Sequence, residues 1–193
     1  YGTGLNGTRS GSGIYSWGEK LLPAARYGYT PNDYFETGHV YTNAVTVSGG
    51  TDKNQTYFSA ASVNSDGIIP NNEYNRYNFT ANHTSSFLKD RMHLSVLGMY
   101  MNVNEQNMLS SGQYYNPMVP IYLMSPGDDI NKYAVYERYD ASRNFPVQYW
   151  PWGSQSLQMQ NPYWITNRNM FNTGKDRFLF GASLKYDITD WLD

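Results

Sequence analysis

Residues 54–82 read NQTYFSAASVNSDGIIPNNEYNRYNFTAN, and this stretch decides the fold. It divides into a strand over 56–64, a turn over 65–72 and a second strand from Tyr74 that continues to Phe87. In the turn, Asp66-Gly67 brings a residue that tolerates positive φ, and Pro70 fixes φ before Asn71-Asn72, so the chain reverses. In the second strand Arg76, Asn78, Thr80, Asn82, Thr84 and Ser86 share one face, and Tyr77, Phe79, Ala81 and Phe87 share the other. That is a period of two, with a wholly polar face set against a mostly apolar one. The polar face must meet water, and the aromatic face must meet something apolar.

Working outward, the same period defines three more strands. His39–Ser48 sets Val45 and Val47 against Ala44, Thr46 and Ser48. Arg91–Asn102 sets Met92, Leu94, Val96, Gly98 and Tyr100 against Arg91, His93 and Ser95. Arg177–Ile188 sets Phe178, Phe180, Ala182, Leu184 and Tyr186 against Leu179, Gly181, Ser183 and Lys185. The fold class is therefore all-β, an antiparallel meander. Residues 1–38 and 103–176 show no strand period. The first is rich in glycine, with helical turns expected over Glu19–Arg26 and over Pro31–Glu36, where Thr30 is the N-cap. The second carries many Pro, Tyr, Trp and Asn, and a span that long without secondary structure is expected to be functional. Connections at 49–53, at 88–90 and after 188 are short and fall at one end of the meander. The longer ones, at 65–73 and 103–176 together with residues 1–38, fall at the other end. Short turns on one side and long loops on the other are the pattern of an outer-membrane barrel. The strands, roughly 9–14 residues long, reach the about 9–11 that an oblique crossing requires.

Composition agrees. Of 193 residues, 16% are charged and 17% aromatic, with 19 Tyr. Mean hydropathy is −0.64. Few charges beside many amphipathic rings suit a membrane barrel or a glycan-binding surface better than an ordinary water-exposed globule. A net charge of −2 without a basic stripe argues against nucleic acid as a partner. The absence of cysteine removes disulfides, thiol catalysis and thiolate metal sites. No apolar run approaches the roughly 18 residues of a membrane helix, which leaves strand-built membrane proteins open. Starting at Tyr1 without Met and ending just after a strand, the chain reads as an interior piece of something longer.

Several strings in order resemble one family. Val45–Gly50 (VTVSGG), Tyr57-Phe58-Ser59, Asp66–Pro70 (DGIIP) and Tyr74–Phe79 (YNRYNF) look like consecutive barrel strands of SusC/RagA-like TonB-dependent outer-membrane transporters. So do Ser16-Trp17-Gly18 with Lys20-Leu21 upstream, Asn161–Trp164 (NPYW) downstream, and the closing strand and turn Arg177–Leu192 (RFLFGASLKYDITDWL). The resemblance covers essentially the whole chain. It implies a plugged barrel of the roughly 22-stranded class. It also implies TonB-dependent import of oligosaccharides, glycans or peptides across the outer membrane of a Gram-negative bacterium of the Bacteroidetes type. A SusD-like surface lipoprotein would act as lid. The plug and the segment that contacts the TonB complex would lie upstream, outside this chain. No bond chemistry and no cofactor are implied.

Under this resemblance Arg76, Asn78, Thr80 and Asn82 face the lumen, and Tyr77, Phe79, Phe178, Phe180 and Leu184 face lipid. Tyr149, Trp150 and Trp152, with Tyr163 and Trp164, form the densest aromatic cluster. They are candidates for contact with substrate or lid, against the heavier alternative of packing within a long extracellular loop. Tyr114, Tyr115, Tyr133, Tyr136 and Tyr139 carry the same two readings. Trp191, just past a strand, suits a membrane-interface anchor. Asp128-Asp129 lacks calcium-ligand spacing and reads as a solvated turn. His39, His83 and His93 have no paired metal spacing, and His83 and His93 fall on opposite faces. Glu105, Glu137 and Asp140 read as scattered loop charges rather than an acid/base pair. The rival function is a secreted all-β glycan-binding module using the same Tyr and Trp residues; a β-sandwich enzyme is a third class, with no residues to carry the chemistry.

Overall fold

A computed structural model describes residues 30–124, 129–150, 159–168 and 170–189. The chain divides into two compact units. One is a sheet made from His39–Asp66, Glu73–Gln106 and the residues from Asn172 onward. The other gathers the connections: the residues up to Gly38, Gly67–Asn72 and Asn107–Phe171.

The sheet has five strands: β1 (His39–Gly50), β2 (Asn54–Asp66), β3 (Glu73–Phe87), β4 (Met92–Gln106) and β7 (Asn172–Tyr186). All neighbours are antiparallel in the order β1-β2-β3-β4-β7, and β1 and β7 are open edges. Each expected strand is present; β4 and β7 run four and five residues further toward the long connections than the alternation suggested, β2 gains two residues at each end, and β7 ends at Tyr186 rather than Ile188. β7 begins at Asn172 rather than Arg177, because Asn172–Asp176 pair with Asn102–Gln106 although they show no apolar period.

The turns at the short-connection end are tight. Thr51 N donates to Asn54 O at 2.7 Å, and Thr51 Oγ1 accepts from Asn54 N at 3.2 Å. Leu88, Lys89 and Asp90 all have positive φ, without a glycine among them. Lys53 Nζ joins the two turns by an ion pair to Asp90 at 2.9 Å. In the 67–72 connection the residue in the left-handed region is Asn71, with φ 59, not Gly67. Gly67 serves another purpose: a Cβ there would collide with the Asn72 side chain.

The second unit corrects the expectation of a span without secondary structure at 103–176. It contains helix α1 (Met118–Leu123), a 3-10 turn (Ile130–Tyr133), the hairpin β5 (Glu137–Asp140) and β6 (Phe145–Gln148), and helix α2 (Pro162–Asn167). A 3-10 turn at Pro31–Tyr34, shorter than the expected Pro31–Glu36, also belongs to it, with Thr30 as its N-cap and Asp33 accepting from Thr30 N at 2.8 Å. The expected helix over Glu19–Arg26 lies outside the described residues. The core of this unit is Tyr34, Ile69, Ile121, Met124, Ile130, Tyr133, Trp150 and Met159. These residues come from three separate stretches of chain, with Tyr34 in the first, Ile69 in the second and the rest in the third, and local periodicity carries no signal for such packing.

Candidate functional surfaces

Register fixes which residues share a face, because directly opposed residues of an antiparallel pair point the same way. One row crosses the sheet as Val45, Ala60, Phe79, Tyr100 and Phe178, and the next as Val47, Phe58, Ala81, Gly98 and Phe180. Toward the short turns the same face continues on β4 and β7 with Val96, Leu94 and Met92 opposite Ala182, Leu184 and Tyr186. Toward the long connections it turns polar within one row, at Asn43, Ser62, Tyr77, Asn102 and Asp176. There Asp176 accepts from Tyr100 Oη at 2.7 Å and from Asn102 Nδ2 at 2.9 Å. On β7 the apolar run from Phe178 to Tyr186 is about 27 Å long at the usual strand rise.

This apolar face is bare. Phe178 is 78% exposed, Phe180 76% and Val45 66%. Among the described residues of the sheet unit, only Val103 is buried. Ala60, Ala81 and Gly98 leave a shallow depression of about 590 Å³, lined also by Phe58, Phe79 and Phe180. A continuous exposed apolar patch of this extent marks a surface that a partner or a lipid phase covers. His83 lies on this side, its Nδ1 2.8 Å from Thr56 Oγ1.

The opposite face holds Arg76, Asn78, Thr80 and Asn82 in one line along β3, as the alternation required. It is not uniformly polar, because β4 contributes Leu97, Met99, Met101 and Val103 here. Arg76 Nε and Asn82 Oδ1 are buried atoms without a hydrogen-bond partner. Near the short turns a depression of about 530 Å³ is lined by Gln55, Tyr57, Asn82 and Thr84. His93 lies on this face, with Nδ1 2.9 Å from Ser86 Oγ and Nε2 3.3 Å from Asp187.

Charge sorts by face. Every Lys and Arg of the five strands (Arg76, Lys175, Arg177 and Lys185) is on the β3 polar face. Three of the four strand carboxylates (Asp66, Glu73 and Asp176) are on the apolar-band face. The fourth, Glu105, lies beside the cations, 3.7 Å from Lys175 Nζ.

In the second unit the aromatic candidates do not form one exposed platform. Trp150 is 8% exposed and packs edge-on against Tyr133 at 5.1 Å between ring centroids. Tyr149 is half-buried beneath the Arg138 guanidinium, 3.3 Å from its ring centroid. Tyr163 is half-buried against Tyr34 at 5.1 Å, and burial, with Asp129, Asp33 and Glu36 nearby, pushes its phenol above the usual range. Trp164 is half-buried and 6.4 Å from Tyr136. Trp152, Trp191 and Asp128 lie outside the described residues. Tyr114 and Tyr115 form an exposed pair at 4.7 Å, and Tyr115 also meets Phe171 at 5.1 Å. Tyr139 is exposed on the hairpin.

Asparagine builds this unit. Asn161 is fully buried, and its Oδ1 accepts from Tyr163 N at 2.8 Å and Trp164 N at 3.4 Å, capping α2 ahead of Pro162. Its Nδ2 donates to Tyr133 O at 2.9 Å and Tyr149 O at 2.8 Å. Asn107, with φ 51, donates through Nδ2 to Asn71 O and Thr166 O, and its Oδ1 accepts from Phe171 N. In the sequence Asn161 enters only through the string Asn161–Trp164 and Asn107 not at all; the capping pair Asn161-Pro162 is the one local signal available. The carboxylates serve structure here: Glu137 makes a two-pronged pair with Arg168 at 2.7 and 2.9 Å, which holds its carboxyl below the usual range. Asp140 accepts from Ser142 Oγ and Ser142 N, which lowers it likewise. Asp129 accepts from Asn131 N at 3.0 Å and caps the 130–133 turn. No group of three or more His, Asp or Glu among the described residues is placed to hold a metal ion. A scan against protein-family models and a search of curated proteins each found no match for this chain.

Proposed function

We propose that this chain forms part of a transmembrane β-barrel wall in the outer membrane of a Gram-negative bacterium, acting in TonB-dependent uptake of oligosaccharides, glycans or peptides. One observation carries the reading: a five-stranded sheet whose exposed apolar band lies on one face, with a mostly polar face behind it and two unpaired edges. In water such a sheet has no core of its own, and its edges invite further pairing. In a bilayer the band faces acyl chains, the polar face looks into a lumen, and adjoining strands satisfy both edges. The about 27 Å apolar run on β7, tilted by about 35–45° as barrel strands are, spans about 19–22 Å of a hydrocarbon band about 25 Å tall. The resemblance of the ordered strings to SusC/RagA-like transporters names the transport class, with a SusD-like lipoprotein as lid and the plug upstream. The long connections, folded around their own core, would stand on the outer side.

The test is fractionation of the native full-length protein with and without detergent, followed by identification of what co-purifies. Recovery in detergent alone, with a surface lipoprotein in comparable amount, is the expected result. Recovery as a water-soluble monomer overturns it and favours a secreted glycan-binding module, with the exposed Tyr114–Tyr115 pair as the first surface to examine.

A further inference from the structure

Resting on the barrel reading, we propose that the polar face of the sheet is a recognition surface for carboxylate-bearing solutes, with Arg76, Lys175 and Arg177 as the groups that attract them. Three observations place these residues together. Arg76 is opposite Val103, and Val103 is opposite Lys175, so Arg76 and Lys175 lie in one row two strands apart. Arg177 is the next residue on that face of β7. Two strand spacings are about 10 Å, and long side chains from both sides can close on one anion across that gap.

The charge of this cluster is not balanced. Glu105 pairs with Lys175, and it is the one carboxylate on this face of the five strands. Arg177 is exposed and has no ion pair among the described residues. Arg76 likewise has no ion pair among the described residues, and its buried Nε lacks a hydrogen-bond partner, so its charge is not taken up by a carboxylate of this face. Meanwhile the strand acids Asp66, Glu73 and Asp176 are all on the other face. A protein that only required solubility would gain nothing from sorting its charges by face. A wall that concentrates anions on one side does gain, because a low-dielectric boundary focuses the field into the space it encloses.

Position supports a diffusing ligand. Arg76, Lys175 and Arg177 are all within the first six residues of their strands at the long-connection end, while Lys185 alone is at the short-turn end. In the barrel reading that is the outer mouth, which a solute meets first. Arginine prongs match a carboxylate in two-point geometry, and neutral hydroxyls of a sugar give no such match.

The experiment uses the detergent-purified full-length protein and four probes: trigalacturonate, triglutamate, and the neutral maltotriose and trialanine. Binding is followed by calorimetry at two ionic strengths. An acidic probe binding more tightly than its neutral counterpart, with the margin shrinking at high salt, is the expected result; which acidic probe prevails identifies a saccharide or a peptide source. R76Q/R177Q should weaken the acidic probe roughly tenfold and leave any neutral binding unchanged, and R76K/R177K, which restores the charge without the two-pronged geometry, should recover only part of the loss. R177Q alone, at an exposed position, guards against misfolding and should show part of the effect. Equal binding of acidic and neutral probes, or a preference unchanged in R76Q/R177Q, overturns the proposal while leaving the barrel intact. Recovery without detergent overturns the barrel instead.

Discussion

The two units of this protein solve the same problem in opposite ways. The sheet has regular backbone hydrogen bonding and almost no interior: one buried residue, Val103, among those described. The connection unit has little regular structure and a real interior, with Ile121 and Ile130 fully buried. In the sheet, backbone groups satisfy one another and side chains are left to the surroundings. In the connection unit, asparagine side chains satisfy the backbone, and the apolar groups find one another. The first arrangement depends on what lies outside the chain, and the second carries its stabilisation within.

The largest effect should come from the connection unit. Replacing Asn161 with Ala removes the α2 cap and leaves Tyr133 O and Tyr149 O without their shared donor. The loss should be about 3–5 kcal/mol in local stability. Hydrogen exchange on the full-length protein should show amides of 130–135 and 161–167 losing protection, with those of β2 and β3 unchanged. Loss of protection in the sheet as well would erase the distinction between the units.

The next effect belongs to the sheet. Phe180→Arg places a charge in the middle of the apolar band and should cost about 2–4 kcal/mol in a bilayer-embedded protein. Thr80→Arg, on the other face of the neighbouring row, should cost far less. Equal tolerance in a refolding titration into lipid would mean that the band does not face lipid.

The smallest effect is one of pH. Arg168 holds the Glu137 carboxyl below its ordinary value, so folding favours the ionised form. This contribution is complete above the ordinary carboxylate range and is lost as pH falls through the lowered value of the folded state. Glu137→Gln should therefore flatten the acid side of the stability profile at 137–168 and leave the sheet's profile unaltered, as followed by exchange between pH 3 and pH 6.

The comparison also explains what the sequence could reveal. Alternation in β3 placed Arg76, Asn78, Thr80 and Asn82 on one face and Tyr77 and Phe79 on the other, because a strand's period is built into its backbone. The same logic missed Leu97, Met99 and Met101. β4 is apolar on both sides, and an unbroken apolar run hides its own period. Asn172–Asp176 escaped too, since they enter the sheet by pairing rather than by pattern. In the connection unit, Trp150 and Tyr163 stood out by density, yet whether a ring is displayed or buried depends on partners such as Tyr34 and Tyr133, far away in the chain. Asn161 stood within a quoted string, and the two bonds its Nδ2 donates, to Tyr133 O and Tyr149 O, belong to a geometry that no local window contains.

The sorting of charge by face has a consequence for how the sheet assembles. A strand that pairs one residue out of step exchanges its two faces throughout its length. For β7 such a slip would carry Lys175, Arg177 and Lys185 to the side of Phe79 and Tyr100, and bury Phe178 and Phe180 among Arg76 and Asn78. Each misplaced residue adds its own penalty, so the error grows with every rung that zips. The charges thus act as a proofreading code written along the strand: a misaligned β7 sets Lys185 against Met92 or Leu94 and turns Phe178 and Phe180 to the side of Arg76, so the wrong register is penalised at both ends of the apolar band.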